Sequence, residues 1–197
     1  MIGREVSAGS LLDEIARDKS FYDESGGGIT LSGGEPFVRH DFLTGFLPLV
    51  KQNGIHITVE TCGLFAMEPA EPLFSLIDLV YYDLKLMDTD LHSEYTGSGN
   101  EKIRENFSLL VKKGINIQAR IPLVPGINDS LENLEKTALF LSENGLKSIH
   151  CLPYHKLGES KLGRIDTALE PLGITEPDSY KYAEEIFNLN GIDAVFY

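Results

Sequence analysis

Short polar segments recur at the ends of apolar runs in this 197-residue sequence, and their residue types suit a small zwitterionic ligand. Gly33 and Gly34 have no side chains, so their backbone amides can lie directly against a ligand. Glu35 follows them and can receive an ammonium group. The polar segments are Ser32–Pro36, Glu60–Gly63, Asp83–Lys85, Arg120 with Pro125–Asp129, and Pro153–Lys156.

The cationic and aromatic members of this set complement the acids. Lys85 and Arg120 can bind a carboxylate or hydroxyl groups, and His155 can stack on a heterocycle or hydrogen-bond to it. An amino-acid head joined to a nucleoside would use all of these groups. Any one of these charges, taken alone, has an alternative role as a helix cap or as a solvated surface group. Five strand ends that all carry charge or glycine favour a binding site over that alternative.

The elements that position these residues are predicted from hydrophobic periodicity. Apolar runs rich in β-branched and aromatic residues alternate with segments whose apolar residues repeat at helical spacing. This alternation predicts an α/β fold of parallel strands covered by helices, and five or more repeats favour a complete or partial barrel over a short doubly wound sheet. The carboxyl ends of such strands would then converge on one cavity. The predicted strands are Ile29–Leu31, Ile55–Val59, Leu79–Leu84, Ile115–Val124, Ser148–Leu152 and Ala194–Tyr197.

Helix boundaries are marked by glycine and by capping residues. Gly54, Gly114 and Gly145 follow helical segments, where a left-handed residue is expected to end the helix. At the other ends, Ser98 with Glu101 and Asp129 with Glu132 have the spacing of a capping box.

Composition limits the classes of function. The net charge is −13, from 17 basic and 30 acidic residues, which argues against a nucleic-acid binder and against docking on anionic lipid. No apolar run approaches the roughly 18 residues that a membrane span needs, and no hydrophobic signal core is present near Met1. The sequence therefore predicts one cytoplasmic domain covering residues 1–197.

Competing catalytic motifs are weak. Gly26–Gly28 precedes a strand, whereas a phosphate-binding loop follows one, and no nucleophile elbow or zinc-spaced cluster is present. Cys62, beside Gly63, is interpreted as a passive small residue and Cys151 as a core residue, because neither has an obvious histidine partner. A lyase that uses Lys85 as a Schiff-base amine is a further alternative.

Several longer motifs carry a resemblance to a known family. They occur in one order along nearly the whole chain, and YYDLK, IPLVPGIND and LPYHKLG together are more specific than GGEP alone. The sequence resembles the radical S-adenosylmethionine (SAM) proteins that activate glycyl radical enzymes, the group of pyruvate formate-lyase activating enzyme. The motifs are "GREVS" at Gly3, "SGGGITLSGGEP" at Ser25, "GIHITVETCG" at Gly54, "DLVYYDLKLMD" at Asp78, "HSEYTGSGNEKIRENFSLL" at His92, "ARIPLVPGIND" at Ala119 and "LPYHKLGESK" at Leu152.

The resemblance implies a partial (β/α)6 TIM-like barrel of the radical SAM type and assigns roles to residues. Gly33, Gly34 and Glu35 would hold the methionine amino group of SAM. The remaining assignments fall on residues from later in the chain. Asp83, Leu84 and Lys85 would hold the polar end of SAM. Arg120 would contact its methionine or ribose region, and His155 would contact its adenosine. Glu60, Thr61 and Asp83, with the backbone near Tyr81, would surround a monovalent cation.

The sequence departs from the family at the iron–sulfur cluster. The family binds its [4Fe–4S] cluster with three cysteines in a CxxxCxxC loop, and this sequence has only Cys62 and Cys151, far apart. We therefore expect an N-terminally truncated barrel, without catalytic residues or cluster ligands of its own. The missing cysteine loop has three explanations. The sequence is a fragment or begins at an internal start site, the protein is naturally shortened, or another chain supplies the cysteines.

The resemblance implies an oxidoreductase activity for the complete protein. A reduced cluster would cleave SAM to a 5′-deoxyadenosyl radical that abstracts a hydrogen atom from a glycine of a partner enzyme similar to pyruvate formate-lyase. Flavodoxin or ferredoxin would donate the electron. The alternative is a degenerate barrel that binds SAM, a nucleoside or a protein without radical chemistry.

Overall fold

The computed structural model describes residues 4–154 and 178–197. The chain divides into two compact units, of which unit 1 comprises Met1–Tyr82 and Lys102–Ile117. Unit 2 comprises Asp83–Glu101 and Gln118–Tyr197. That residues 1–197 act as a single domain stays a prediction.

Six parallel strands confirm the predicted α/β fold. In unit 1, β1 pairs with β2 and β2 with β3, and in unit 2, β4 pairs with β5 and β5 with β6. The strand order is β1-β2-β3-β4-β5-β6, which agrees with successive strand–helix–strand connections. The strands are β1 (Gly28–Leu31), β2 (His56–Thr61), β3 (Leu79–Asp83), β4 (Ile117–Leu123), β5 (Ser148–Pro153) and β6 (Asp193–Phe196).

Two helices precede β1, and the other helices occupy segments between strands. Short 3-10 turns at Ala16–Asp18, Pro36–Arg39 and Glu71–Leu76 join them. Among the described residues, none of the helices has both the length and the apolar character to cross a bilayer. The helices are α1 (Ala8–Ile15), α2 (Lys19–Ser25), α3 (His40–Gln52), α4 (Met67–Ala70), α5 (Thr89–Thr96), α6 (Glu101–Lys112), α7 (Leu131–Glu143) and α8 (Asp178–Leu189).

The core of unit 1 lies where α3 and α6 pack on the strands. Val59 and Val80 are completely buried on neighbouring strands, and Phe46 and Phe107 are completely buried on the two helices. Each such side chain contributes about 1.5–3 kcal/mol when it leaves water. Because these residues recur at helical or alternating spacing, the hydrophobic pattern alone predicted their elements.

The core of unit 2 is built in the same way from α7, α8 and three strands. Ile121, Ile149 and Cys151 are completely buried on β4 and β5, with Leu141 of α7 and Phe187 of α8. Cys151 is therefore a core residue, as the sequence indicated. Burial, and then the charge of Glu184, raises the pKa of this thiol to about 12.

The glycines that end helices confirm their predicted conformations. Gly54, Gly114 and Gly145 have φ angles of 68°, 73° and 78°, all in the left-handed region. Side chains other than glycine adopt this region at a cost, so these positions account for the abrupt helix ends.

Both predicted capping boxes are wrong in position. The cap of α7 is Ser130, whose side chain accepts the Asn133 N–H, because the Asp129 carboxylate accepts the Gly126 N–H at 2.8 Å instead. Helix α6 begins at Glu101, whereas Ser98 lies in the preceding turn, where its carbonyl contacts the His92 ring at 2.7 Å.

Candidate functional site

The Glu35 carboxylate of unit 1 is fixed by four hydrogen bonds from its own chain. One oxygen, Oε1, accepts the Phe37 N–H at 3.3 Å and caps the 3-10 turn that follows. The other, Oε2, accepts the Thr61 hydroxyl at 2.8 Å and the Cys62 N–H at 3.0 Å. The Cys62 thiol adds a weak donor at 3.2 Å. A half-buried negative charge is thus held at the carboxyl ends of β1 and β2.

The backbone directly before Glu35 is exposed and unobstructed. Gly33 has a φ angle of 119°, a conformation that favours glycine. A Cβ added at Gly33 or Gly34 would meet no atom within 4 Å, so open space lies in front of both residues. An exposed backbone beside a fixed carboxylate fits the amino-acid head of SAM, because its ammonium group requires acceptors such as backbone carbonyl and carboxylate oxygens.

Glu60 and Thr61 extend this arrangement along β2. The Ser32 hydroxyl donates to Glu60 Oε2 at 2.6 Å, and Thr61 is buried, with its hydroxyl accepting the Gly63 N–H at 2.9 Å. The structure therefore brings Gly33–Glu35, Glu60 and Thr61 together within unit 1. The described residues contain no group of three or more His, Cys, Asp or Glu side chains arranged for a metal, and the monovalent-cation site at Glu60, Thr61 and Asp83 stays a prediction.

The loop after β2 is held in place by residues from α6 and β3. Asn106 is completely buried and donates to the carbonyl oxygens of Gly63 and Phe65 at 2.9 and 3.0 Å. The Tyr82 hydroxyl donates to the Ile103 carbonyl at 2.7 Å. Burial, followed by electrostatic interactions with Glu35 and Cys62, raises the pKa of Tyr82 well above its usual value, so this phenol stays a donor.

In unit 2, Asp83, the last residue of β3, and Arg120, in the middle of β4, form an ion pair. Arg120 Nε donates to Asp83 Oδ1 at 2.7 Å, and the two side chains are 12% and 24% exposed. His150 is the register partner of Arg120 on β5. Burial and then the charge of Arg120 lower the pKa of His150, which favours a neutral ring beside the guanidinium.

Lys85 extends from the loop that follows β3. The residue is half-buried, and its ammonium group has no hydrogen-bond or ion-pair partner among the described residues, so the ammonium group remains available to a ligand. Its carbonyl accepts the Asn128 amide at 2.9 Å, while the same amide donates to Pro122 at 2.7 Å. Asn133 fixes the next turn of this loop by accepting the Met87 N–H at 2.8 Å.

The contacts with SAM that were predicted for Leu84 and His155 stay predictions, for different reasons. Leu84 is 1% exposed and its N–H donates to the Arg120 carbonyl at 2.8 Å, so its side chain belongs to the core and its contact with SAM stays a prediction. His155 lies outside the described residues. That the residue sets of the two units converge on one cavity also stays a prediction.

The two cysteines do not match the ligand set of an iron–sulfur cluster. Cys62 is half-exposed and bound to Glu35, whereas Cys151 is buried in the core of unit 2. Iron–sulfur clusters are held by cysteine thiolates, three of them on one loop in the resembled family, whereas the whole sequence has two cysteines far apart in the chain. The residues present therefore fit SAM's amino-acid head but do not by themselves fit the cluster.

Sequence reasoning missed the residues that support the site from behind. Asn106 and Asn128 are buried polar side chains inside motifs whose resemblance had been noted, yet neither was given a role. Asn128 follows a Pro-Gly turn, where asparagine is favoured because its side chain bonds nearby backbone, and this signal was available. Tyr82 and His150 alternate with core residues on their strands, and no sequence signal separated them from the core.

A sequence profile of one superfamily matches most of the chain. The profile of the Radical SAM superfamily matches residues 2–141.

Two relatives of known activity align with most of this chain. The trans-4-hydroxy-L-proline dehydratase activating enzyme of Clostridioides difficile is 40% identical over 187 residues, which are 93% of this chain and 62% of that protein. The pyruvate formate-lyase 2-activating enzyme of Escherichia coli (strain K12) is 38% identical over 160 residues, 81% of this chain and 55% of that protein. This chain thus matches little more than half the length of these relatives.

Solved structures agree with the fold. A domain of pyruvate-formate lyase-activating enzyme from Bacteroides vulgatus ATCC 8482 has a TM-score of 0.73 and 27% identity, covering 87% of this chain and 99% of that one. A radical SAM methyltransferase from Sphaerobacter thermophilus has a TM-score of 0.69 and 20% identity, covering 98% of this chain and 58% of that one, and shows likeness of fold alone.

Proposed function

Because the chain belongs to the Radical SAM superfamily, we propose that it forms the SAM-binding part of a glycyl-radical-enzyme activating enzyme. The observation that carries this proposal is the exposed Gly33–Gly34 backbone beside the fixed carboxylate of Glu35. The two relatives of known activity, both activating enzymes, support the same conclusion. The complete enzyme would use SAM to generate a 5′-deoxyadenosyl radical that abstracts a hydrogen atom from a glycine of its partner.

In this proposal unit 1 holds the amino-acid head of SAM. The backbone of Gly33 and Gly34 lies against the ammonium group, and Glu35 supplies the compensating charge. Because Thr61 and Cys62 already orient that carboxylate, little conformational freedom is lost when the ligand binds.

Unit 2 contributes cationic groups and the groups that orient them. Lys85 and Arg120 bind the carboxylate or hydroxyl groups of SAM, and Asp83 fixes the Arg120 guanidinium through their ion pair. Leu84 contributes backbone only. His155 is proposed to contact the adenosine, and Glu60, Thr61 and Asp83 to surround a monovalent cation.

The iron–sulfur cluster supplies the electron that cleaves SAM in such enzymes. The two cysteines of this chain do not provide its ligand set. The role that we propose for the chain is accordingly limited to holding and orienting SAM. The partner is proposed to be a glycyl radical enzyme similar to pyruvate formate-lyase, the electron donor a flavodoxin or ferredoxin, and the location cytoplasmic.

Calorimetric titration tests the binding role. SAM and 5′-deoxyadenosine are titrated separately into the 197-residue chain. We expect heat from both ligands, with tighter binding of SAM because only SAM carries the amino-acid head. Absence of heat with SAM would overturn the proposal, and absence of heat with both ligands would also remove the alternative of a nucleoside-binding barrel.

Iron and sulfide analysis tests the proposal that this chain does not bind an iron–sulfur cluster by itself. The protein is prepared anaerobically and incubated with iron and sulfide before desalting. We expect no stoichiometric cluster on this chain. A stoichiometric cluster that persists after Cys62→Ala and Cys151→Ala are introduced together would show that other residues hold it and would contradict this interpretation.

A further inference from the structure

We propose that Asn106 is a positioning residue that fixes the Gly63–Phe65 loop and, through it, the carboxylate of Glu35. This inference rests on the proposed function, because the purpose of the fixed carboxylate is to receive the ammonium group of SAM. Asn106 belongs to α6, remote in sequence from both the loop and Glu35. None of its own atoms contacts the ligand in this proposal.

The Asn106 side chain makes two hydrogen bonds that define the path of the loop. Its amide nitrogen donates to the carbonyl oxygens of Gly63 and Phe65 at 2.9 and 3.0 Å. Two carbonyl acceptors require the NH₂ end of the amide, so the orientation of the side chain follows from its partners. Because both protons of one amide are used, the two carbonyls are held at a fixed separation.

The other end of the same amide shows that the position serves more than packing. Asn106 Oδ1 is buried and is the only such side-chain atom without a hydrogen-bond partner among the described residues. A buried acceptor without a partner is unfavourable, and leucine has nearly the same shape without that cost. Retaining asparagine at this position is therefore explained by the two carbonyls that it holds.

A continuous set of hydrogen bonds joins this loop to Glu35. The Gly63 N–H donates to Thr61 Oγ1 at 2.9 Å, and the Thr61 hydroxyl donates to Glu35 Oε2 at 2.8 Å. Cys62, between Thr61 and Gly63 in the chain, donates its N–H to the same oxygen at 3.0 Å. A displacement of Gly63 would therefore move both strong donors that orient the carboxylate.

Tyr82 also restrains the loop at Gly63. A Cβ added to Gly63 would lie 1.9 Å from the Tyr82 hydroxyl, so the loop lies directly against this side chain. The same hydroxyl donates to Ile103 of α6 at 2.7 Å. Helix α6 thus supports the loop through Asn106 and supports the residue that limits its movement.

The test compares Asn106→Leu with Leu110→Ala. The first variant keeps the shape of the side chain and removes both donors. The second lies one turn further along α6, where Leu110 is completely buried, and matches the first as a core change on the same helix. Each protein is assayed for SAM affinity by calorimetry and for the rate at which iodoacetamide alkylates Cys62. Cys151, which is buried in unit 2, reports general unfolding in the same reaction.

We expect Asn106→Leu to weaken SAM binding on the order of tenfold, as loss of an outer-shell partner does at metal sites. Alkylation of Cys62 should accelerate by about tenfold, because local opening of the loop releases its thiol from Glu35 more often. Cys151 should stay unreactive, and Leu110→Ala should lower thermal stability without changing either readout. An unchanged Cys62 rate together with unchanged SAM affinity in Asn106→Leu would overturn the inference.

The two readouts separate this inference from the proposed function. If the unaltered chain does not bind SAM, the proposed function fails, and the rate of Cys62 alkylation still decides whether Asn106 fixes the loop. If the unaltered chain binds SAM and Asn106→Leu binds it equally well with faster Cys62 alkylation, the loop is fixed by Asn106 but the link to SAM is wrong.

Discussion

Glu35 is oriented by its own chain, through donors from two separate segments. Phe37 lies on one segment, and Thr61 and Cys62 on the other, directly after the register in which Leu31 pairs with Val59. The bare backbone of Gly33–Glu35 was predicted from the sequence. The donors were not, because their proximity depends on strand register, and residues 26 or 27 positions apart leave no local pattern.

Replacing Glu35 with glutamine tests its charge. Glu35→Gln keeps the length of the side chain and removes the negative charge that receives the SAM ammonium. We expect SAM affinity to fall by about tenfold or more, since a hydrogen bond to a charged group contributes about 1.5–3 kcal/mol. Affinity for 5′-deoxyadenosine, which has no ammonium group, should stay unchanged in calorimetry. Equal losses for both ligands would mean that the substitution disturbs the site as a whole.

Gly63 is a second residue whose identity is determined by its surroundings. Its φ angle is 81°, and a Cβ would collide with the Tyr82 hydroxyl. We expect Gly63→Ala to lower the free energy of unfolding by at least about 1–2 kcal/mol from backbone strain alone, measured by urea denaturation. The collision should add to this loss.

A double-mutant cycle with Tyr82→Phe measures how much of this loss in unfolding free energy comes from the collision with the Tyr82 hydroxyl oxygen. Phenylalanine removes the oxygen that the new Cβ would meet, so Gly63→Ala should cost less in that background than in the original chain. The single Tyr82→Phe variant should lose about 1 kcal/mol, because the Ile103 carbonyl loses its donor. Additive effects of the two substitutions would show that the hydroxyl oxygen adds nothing to the loss, because the ring carbons that the Cβ also approaches are kept in phenylalanine.

At the scale of elements, the sequence predicted the strands and the main helices and misplaced their boundaries. Alternating or helical apolar residues determine which segments pack on the core, so β4 was found, although it begins at Ile117 and not at Ile115. The prediction of the helix cap at Asp129 was wrong because an acidic side chain has several candidate donors nearby. Asp129 bonds to Gly126 in the preceding turn, which leaves Ser130 to cap α7.

Asp78 joins three elements of unit 1. Its carboxylate accepts the Lys51 ammonium near the end of α3 and the Ile57 N–H of β2 at 2.9 Å, and it precedes β3. Burial tends to raise the pKa of Asp78, but the hydrogen bonds from Lys51 and Ile57 and the charges of Lys51 and His56 outweigh it, so this pKa is lowered. A lowered pKa stabilises the fold above the unfolded-state pKa, and the stabilisation is lost as the pH falls through the folded-state value.

Asp78→Asn should therefore destabilise unit 1 in a pH-dependent way. At neutral pH the free energy of unfolding should fall on the order of 1–3 kcal/mol, because a charged acceptor is removed. The difference from the original chain should persist at about pH 5 and shrink at about pH 3, as the native carboxylate itself becomes protonated. Urea denaturation at the three pH values measures this. The matched control is Glu132→Gln, whose pair with Lys136 is exposed, and a pH-independent difference would contradict the assignment to Asp78.

At the scale of the whole molecule, the sequence predicted one domain, whereas contacts group the described chain into two compact units. Sequence patterns do not distinguish these descriptions, because both units use the same alternation of strands and helices. What distinguishes them is cooperativity, since a single cooperative domain unfolds in one transition.

Cys151 offers a reporter of that cooperativity. Its thiol is completely buried in unit 2 with a pKa raised to about 12, so alkylation near neutral pH requires local or global opening. In a Cys62→Ala variant it is the only thiol of the chain. We expect its alkylation to rise with urea along the same curve as the loss of circular dichroism, which reports the helices of both units. If circular dichroism shows two transitions and Cys151 follows only one of them, the units unfold independently and residues 1–197 do not form one cooperative domain.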